Sequence, residues 1–462
     1  MPVATLGPIM AERRLSTSNL EAPVPTRRSF LSSMAGGAIL AHPAAAAART
    51  AGGWLDPFQL EGITDAFHAE TRTPGEAARD ENLWREVQQA FRVDRSLVNL
   101  NNGGVSPAPG AVQDAMGRYL AYSNEAPVRN MWRVLEPQKE GVRQRLARNF
   151  GCDAEEMALT RNASEGLQIC QFGFDLAPGD EVLTTDQDYP RMLTTFEQRA
   201  RREGIVLRTF PIPVPAEDPG EIVRRFEAEI TDRTRLILMC HMINITGQIL
   251  PVREVVEMAR RHEIPVIVDG AHAYAHFDFT LDDLGCDYYA TSLHKWLFAP
   301  FGTGFLHVRR DRIPGLWPLM ASPEHLDSDI RKFEEIGTHP CANYLAIGAA
   351  LTFHEGIGAA RKEARLVYLR DRWARELLQE DRVRLHTSLE PGMAAGIANV
   401  AVDGLEPGPL AEWLWERHRI IVTPIGHPDC RGLRISPSVY TTMEELERFV
   451  EAVRQALRTG IA

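Results

Sequence analysis

Apolar and polar positions follow two different rhythms along this chain. Between residues 159 and 308, short apolar runs recur: Leu159-Thr160, Glu181 to Thr185, the stretch 235–242, Pro265 to Val268, Tyr288 to Thr291 and Phe305 to Val308. The run Val266-Ile267-Val268 shows no polar alternation, as expected of a strand buried on both faces. Helical stretches such as 252–262 separate these runs, which predicts βαβ units and a mainly parallel sheet. Upstream, 56–92 reads as one helix with Leu83, Val87 and Phe91 on a stripe, and 142–150 as a basic amphipathic helix. Downstream, Pro314, Pro318 and Pro323 mark an irregular crossing into a long helix over 344–378. Strands over 397–402, 420–422 and 433–436 follow, then a helix over 443–457 with Leu446, Phe449, Val450 and Val453 on one face. The expected division is a leader (1–48), an N-terminal helical segment (49–98), a large α/β domain (99–340) and a smaller C-terminal α/β domain (341–462).

The strand ends carry the chemistry. Asp269 closes an apolar strand, at the edge where open α/β sheets bind ligands. Lys295 follows the next strand in Ser292-Leu-His294-Lys295, and Gly302-Thr-Gly304 turns the chain back. A carboxylate beside a pyridine nitrogen keeps it protonated, and a lysine amine can hold an aldehyde covalently. Either residue alone reads equally as a strand-end acid or a solvated lysine.

Together, Asp269-Gly-Ala-His272, Ser292-Leu-His294-Lys295 and Gly302-x-Gly304 resemble the class V aminotransferases, which are fold-type I enzymes dependent on pyridoxal 5'-phosphate (PLP). The resemblance spans about 98–457 and implies that α/β fold and that cofactor. It makes Lys295 the covalent anchor and α-proton carrier, with Asp269 at the ring nitrogen. His272 would lie near the ring hydroxyl, and Ser292 and His294 on the phosphate side. Asn162-Ala163-Ser164 opens a helix, whose free N–H groups and serine hydroxyl suit an anion. The family's phosphate site falls here, at Ala163 and Ser164, although Ser164 reads equally as a helix cap. Tyr189 matches the residue stacked on the ring, and Asn244 the donor to the ring hydroxyl. Thr338 matches a residue that reaches the neighbouring subunit's phosphate, implying a homodimer with shared sites. Arg434, in Arg434-Ile-Ser436, matches the grip on a substrate carboxylate, for which a guanidinium fork is suited. The loop Asn99-Leu-Asn-Asn-Gly-Gly104 is a further candidate for the mouth of the site, and also a plain turn sequence.

Within the family, Tyr189-Pro190 and Arg434-Ile-Ser-x-x-x-Tyr440 are most similar to the isopenicillin N epimerase-like branch. The implied substrate is a small amino acid or a derivative of one. Transamination and β-elimination of the desulfurase or C–S lyase kind are the alternatives, and a binding protein without turnover is a further one. The serine-rich cysteine loop of a desulfurase is absent; Cys430 alone lies in a comparable region.

Composition narrows the partners. The 462 residues carry a formal charge of -11, which argues against a nucleic-acid partner, and no run downstream of the leader is long enough to span a bilayer. The six cysteines form no metal-binding spacing, so no metal is expected. Thr26-Arg27-Arg28-Ser29-Phe30-Leu31, followed by a modest apolar run and an alanine stretch, resembles a twin-arginine export signal. The expected location is therefore periplasmic or secreted, the alternative being a cytoplasmic protein with a disordered arm.

Overall fold

The computed structural model describes residues 57–461. The leader and its arginine pair lie outside the described residues. Seven strands form the main sheet: β2 (Met157–Thr160), β3 (Glu181–Thr185), β4 (Val206–Phe210), β5 (Thr234–Cys240), β6 (Val266–Asp269), β7 (Tyr288–Ser292) and β8 (Gly304–Val308). Their spatial order is β2-β8-β7-β6-β5-β3-β4. All neighbours from β7 through β4 run parallel, while β8 is antiparallel to both β7 and β2. The Gly302–Gly304 turn causes this one reversal. Successive residues feed different cores: Leu236 and Leu238 join one apolar cluster, and Ile237 and Met239 the other. Period-two alternation between two apolar layers explains why these strands show no polar face.

A second, antiparallel sheet of order β12-β13-β10-β9 comprises β9 (Val383–Leu385), β10 (Ala398–Val402), β12 (Thr423–Ile425) and β13 (Gly432–Ile435). The helices Ala359–Leu377, Pro407–His418 and Met443–Thr459 cover it through Trp373, Leu414, Phe449 and Val453. A pairing the sequence did not predict links β1 (Val98–Asn99) in parallel to β11 (Ile420–Ile421). An isolated bridge from Asn101 to Ser436 continues it.

Two expected helices are broken. The stretch 56–92 forms Pro57–His68, Pro74–Ala77 and Glu81–Gln89. Thr73 and Glu76 make a reciprocal capping box at one break, and Asp80 accepts from Asn82 and Leu83 at the next. The expected helix over 344–378 is two, Cys341–Ile357 and Ala359–Leu377, hinged at Gly358 with φ of +88°.

Candidate active site

The carboxyl ends of β6 and β7 open on one crevice. Asp269, last in β6, is buried, and its Oδ1 accepts the Ala271 N–H at 2.9 Å. Burial pushes its pKa up to about 6, against the pull of that hydrogen bond and of Lys295. Lys295 follows β7 on a short turn pinned by the Leu293 N–H to the Thr303 carbonyl. Its Nζ lies 3.0 Å from His272 Nε2. Desolvation brings the amine down to about 8, with Asp269 opposing and Arg434 assisting that shift. His272 is buried, is held well below the usual histidine range by desolvation, and has an Nδ1 without a partner. An acid, an amine and a neutral imidazole therefore meet here, each moved by burial toward its uncharged form.

Arg434, from β13, enters the same crevice. Its Nη1 donates to the Asn244 carbonyl at 3.1 Å, and its Nη2 to Asn101 Oδ1 at 2.7 Å and Thr423 Oγ1 at 3.2 Å, while Nε has no partner. Every partner is neutral. Among the described residues no carboxylate neutralises this guanidinium, and burial lowers its pKa to about 10. The loop that receives it is held from both sides. Ser436 Oγ accepts the Gly103 N–H, Tyr440 donates to Asn102 Oδ1, and Ser106 N–H donates to the His294 carbonyl. The spacing Arg434-Ile-Ser436-x-x-x-Tyr440 is thus the clamp on the 101–106 loop.

The other sequence-derived candidates sort by contact. Ser292 Oγ accepts the Ala163 N–H at 2.9 Å, which joins the end of β7 to the first turn of the helix Ala163–Gly173. The cap of that helix is Asn162, whose side chain accepts from Glu165; Ser164 sits one residue inside and does not cap. His294 Nδ1 faces the Thr303 carbonyl at 3.3 Å, and burial brings its pKa to about 4. Tyr189 precedes the helix Pro190–Glu203, and Asn244 Oδ1 is buried without a partner. Thr338 is exposed.

Asn101, from the loop that the sequence offered as a further candidate for the mouth of the site, is the closest partner of Arg434. One residue escaped the sequence reading. Asp188 is buried, accepts from the Thr185 N–H and hydroxyl at 3.2 and 2.7 Å, and its charge raises the Asp269 pKa. The doubled acid Asp186-Gln-Asp188 after an apolar strand was the available signal.

These groups fit a PLP-like cofactor. Buried Asn244 Oδ1 and His272 Nδ1 lack partners, a helix N-terminus is joined to a strand-end hydroxyl, and a buried acid and an amine share the crevice. Comparison with known proteins points the same way. A family model for class V aminotransferases matches residues 98–449. An isopenicillin N epimerase of Streptomyces clavuligerus is 33% identical over 387 residues, covering 80% of this chain and 97% of the relative. A probable cysteine desulfurase of Mycobacterium leprae is 25% identical over 401 residues, covering 80% and 94%. Among solved structures, a mutant of C-DES with glycine covalently linked to its PLP cofactor superposes with a TM-score of 0.70 at 25% identity, covering 79% of this chain and 98% of that one.

Proposed function

The chain belongs to the class V aminotransferase family, and from that premise we propose that it is a PLP-dependent enzyme acting at the α-carbon of an amino acid, in the manner of isopenicillin N epimerase. One observation carries this reading: Arg434 is buried without a counter-charge at the crevice where Lys295 meets His272. A buried cation with only neutral partners is costly, and a ligand carboxylate would relieve that cost. When bound, PLP supplies an aldehyde that captures amines and a ring that stores the electron pair released at the α-carbon.

The chain's own residues supply the rest. Lys295 anchors the cofactor and moves the α-proton at Nζ; an amine with a pKa of about 8 is partly neutral at physiological pH. Asp269 holds a proton at the ring nitrogen. Asn244 and His272 would serve the ring hydroxyl, Asn244 as a donor through its side-chain amide. Ala163, Ser164, Ser292 and His294 would hold the phosphate at this helix N-terminus, the Ala163 N–H being engaged by Ser292 Oγ in the structure. Tyr189 covers the ring, and Arg434 grips the substrate carboxylate.

The desulfurase relative supports β-elimination as a second reading. Desulfurase chemistry through a protein thiolate finds no support. Burial raises the pKa of Cys430 to about 12, that of Cys152 to about 12 and that of Cys341 to about 11. The deciding experiment is a single turnover with a panel of L-amino acids in heavy water. An epimerase returns an inverted amino acid with deuterium at the α-carbon. Stoichiometric keto acid without inversion makes it an aminotransferase, and pyruvate with ammonia makes it a lyase.

We propose two further properties. Val128, Trp132 and Phe301 are exposed, and Asn343 of the helix Cys341–Ile357 donates to the Phe301 carbonyl. These exposed apolar side chains, together with exposed Thr338, support pairing with a second copy that shares its sites. A monomer by sedimentation in the holo form would refute it. Arg27-Arg28 supports twin-arginine export. The substitution of both by lysine should keep full-length protein inside, and unshortened wild type found inside would refute export.

A further inference from the structure

His276 is wholly buried, and both its ring nitrogens are engaged. Nδ1 lies 2.8 Å from the His272 carbonyl, and the Gly396 N–H donates to Nε2 at 2.8 Å. A carbonyl only accepts and an amide N–H only donates, so the single ring proton sits on Nδ1. Burial, which brings the ring's pKa to about 3, keeps it neutral. The ring stacks on the Trp296 indole, with centroids 3.6 Å apart and planes at 19°. Trp296 directly follows Lys295, and its carbonyl accepts from the buried Lys362 Nζ. At position 396 a Cβ would stand 2.9 Å from His276 Nε2 and 3.0 Å from Leu366 Cβ, so glycine is required for this approach. Gly396 leads into β10, where Asn399 pairs with Arg434 of β13.

We propose that His276 is a positioning residue: it sets the contact between His272 and Lys295, and couples that contact to the sheet that carries Arg434. The proposal draws its functional meaning from the PLP reading, but its geometry stands apart from it. The imidazole holds the His272 backbone by one nitrogen, the residue after Lys295 by its face and the Arg434-bearing sheet by the other nitrogen. Without the ring, the His272 carbonyl and the Gly396 N–H lose their partners in a dry interior, and the 270–276 turn must move to satisfy them.

The consequence is read at Lys295. When Lys295 is charged, its ammonium can only donate, so His272 Nε2 accepts, and this charge-assisted hydrogen bond favours the charged form. The other groups that act on Lys295 are Asp269, Arg434 and Cys240. Loss of the His272 contact therefore lowers the amine's pKa and increases its nucleophilic fraction at neutral pH.

The test is the pH profile of Lys295 acylation in the cofactor-free full-length chain, read by peptide mass spectrometry. His276→Phe keeps the stack on Trp296 and removes both hydrogen bonds. It should move the labelling midpoint down by roughly half to one pH unit and speed labelling at neutral pH by about three- to fivefold. Gly396→Ala presses on Nε2 from the far side and should shift the profile in the same direction. His276→Gln, whose amide oxygen can accept from Gly396, should return it partway. A wild-type profile in any folded member of the first pair overturns the proposal and leaves His276 a packing residue. Should His276→Phe not fold, Gly396→Ala and His276→Gln carry the decision. The PLP reading is tested separately by the yellow colour of the wild-type holoprotein; a colourless wild type refutes that reading and leaves the labelling result intact.

Discussion

Two buried arginines, Arg143 and Arg434, show how one side chain is treated in two parts of this molecule. Arg143, on the helix Lys139–Phe150, donates to Glu334 at 2.5 and 3.1 Å, to Glu140 at 3.0 Å and to the Met157 carbonyl. Its ionic partners outweigh its burial and raise its pKa. Arg365 with Glu81 and Arg370 with Asp371 are likewise buried arginines paired with carboxylates. Arg434 has only an amide oxygen, a hydroxyl and a carbonyl, and its pKa falls. Removal of an arginine from water is costly in both places. In the first the chain supplies the compensating charge itself, so the charge serves stability. In the second it leaves the charge unpaired, which is what the proposed grip on a substrate carboxylate needs, and the same imbalance recurs at Asp269 and Lys295.

The largest effect should come from Lys295→Ala, at the heart of the uncompensated region. Turnover should fall at least on the order of 10⁴-fold, because the variant loses the group proposed both to anchor the cofactor and to carry the proton. The melting temperature should hold or rise, since a poorly solvated amine is gone. Borohydride should fix PLP to the wild-type chain and not to the variant. A covalent adduct that survives in Lys295→Ala removes the assignment.

Next comes the compensated region. Glu334→Gln strips the main charge from Arg143 and should destabilise the fold by about 3–5 kcal/mol in denaturant titrations, with kcat and KM little changed. A loss of activity larger than the loss of stability would show that the two regions are not separable.

Arg434→Gln reverses that pattern. Stability should stay within about 1 kcal/mol of wild type, because an unneutralised buried charge is removed together with its hydrogen bonds. KM for the amino acid should rise about 10²-fold, as expected when a buried charged partner of the ligand is lost. An unchanged KM would mean that the substrate carboxylate sits elsewhere.

Sequence made part of this contrast readable. Asp269 and Lys295 are visible because each ends an apolar strand, and strand ends in a doubly covered sheet have one place to point. Arg434 is visible through Arg-Ile-Ser, and Tyr440, four residues beyond Ser436, proves to grip the loop that faces the guanidinium. What stayed hidden depends on distant partners. The contact of Asn101 with Arg434 is not readable until β13 arrives more than three hundred residues later. The pairing of β1 with β11 and the bridge through His276 to Gly396 have no local signature either. Helix ends were misplaced where capping chemistry overrode periodicity: Thr73 and Asp80 divide one expected helix, and Asn162 takes the cap that Ser164 equally suited.

The smallest effect, and the one that most sharpens the comparison, is that acid should act on the two regions with opposite sign. Burial raises Asp269 from 3.8 to about 6. Between those values the native state binds its proton and the unfolded state does not, so the Asp269 contribution to stability falls as pH rises from 4 to 6. The full penalty, about 3 kcal/mol at most, is present above pH 6 and relieved below pH 4. Glu140 behaves in the other direction. Burial alone would raise its pKa, but Arg331 and Arg143 outweigh that and hold it at about 2, from 4.5. Its contribution is present above pH 4.5 and is lost as pH falls toward 2. His294, brought from 6.5 to about 4 by burial, adds to the loss in acid and masks Asp269 in the wild type alone. Differences between chains isolate each group. Urea unfolding of cofactor-free wild type, Asp269→Asn and Glu140→Gln should be followed from pH 7 to 3. The advantage of Asp269→Asn over wild type should shrink as pH falls through 5, and so should the deficit of Glu140→Gln as pH falls through 3.5. If wild type and Asp269→Asn run parallel throughout, the carboxyl is ionised as in water, and the crevice does not hold the uncompensated acid that distinguishes it from the Arg143 region.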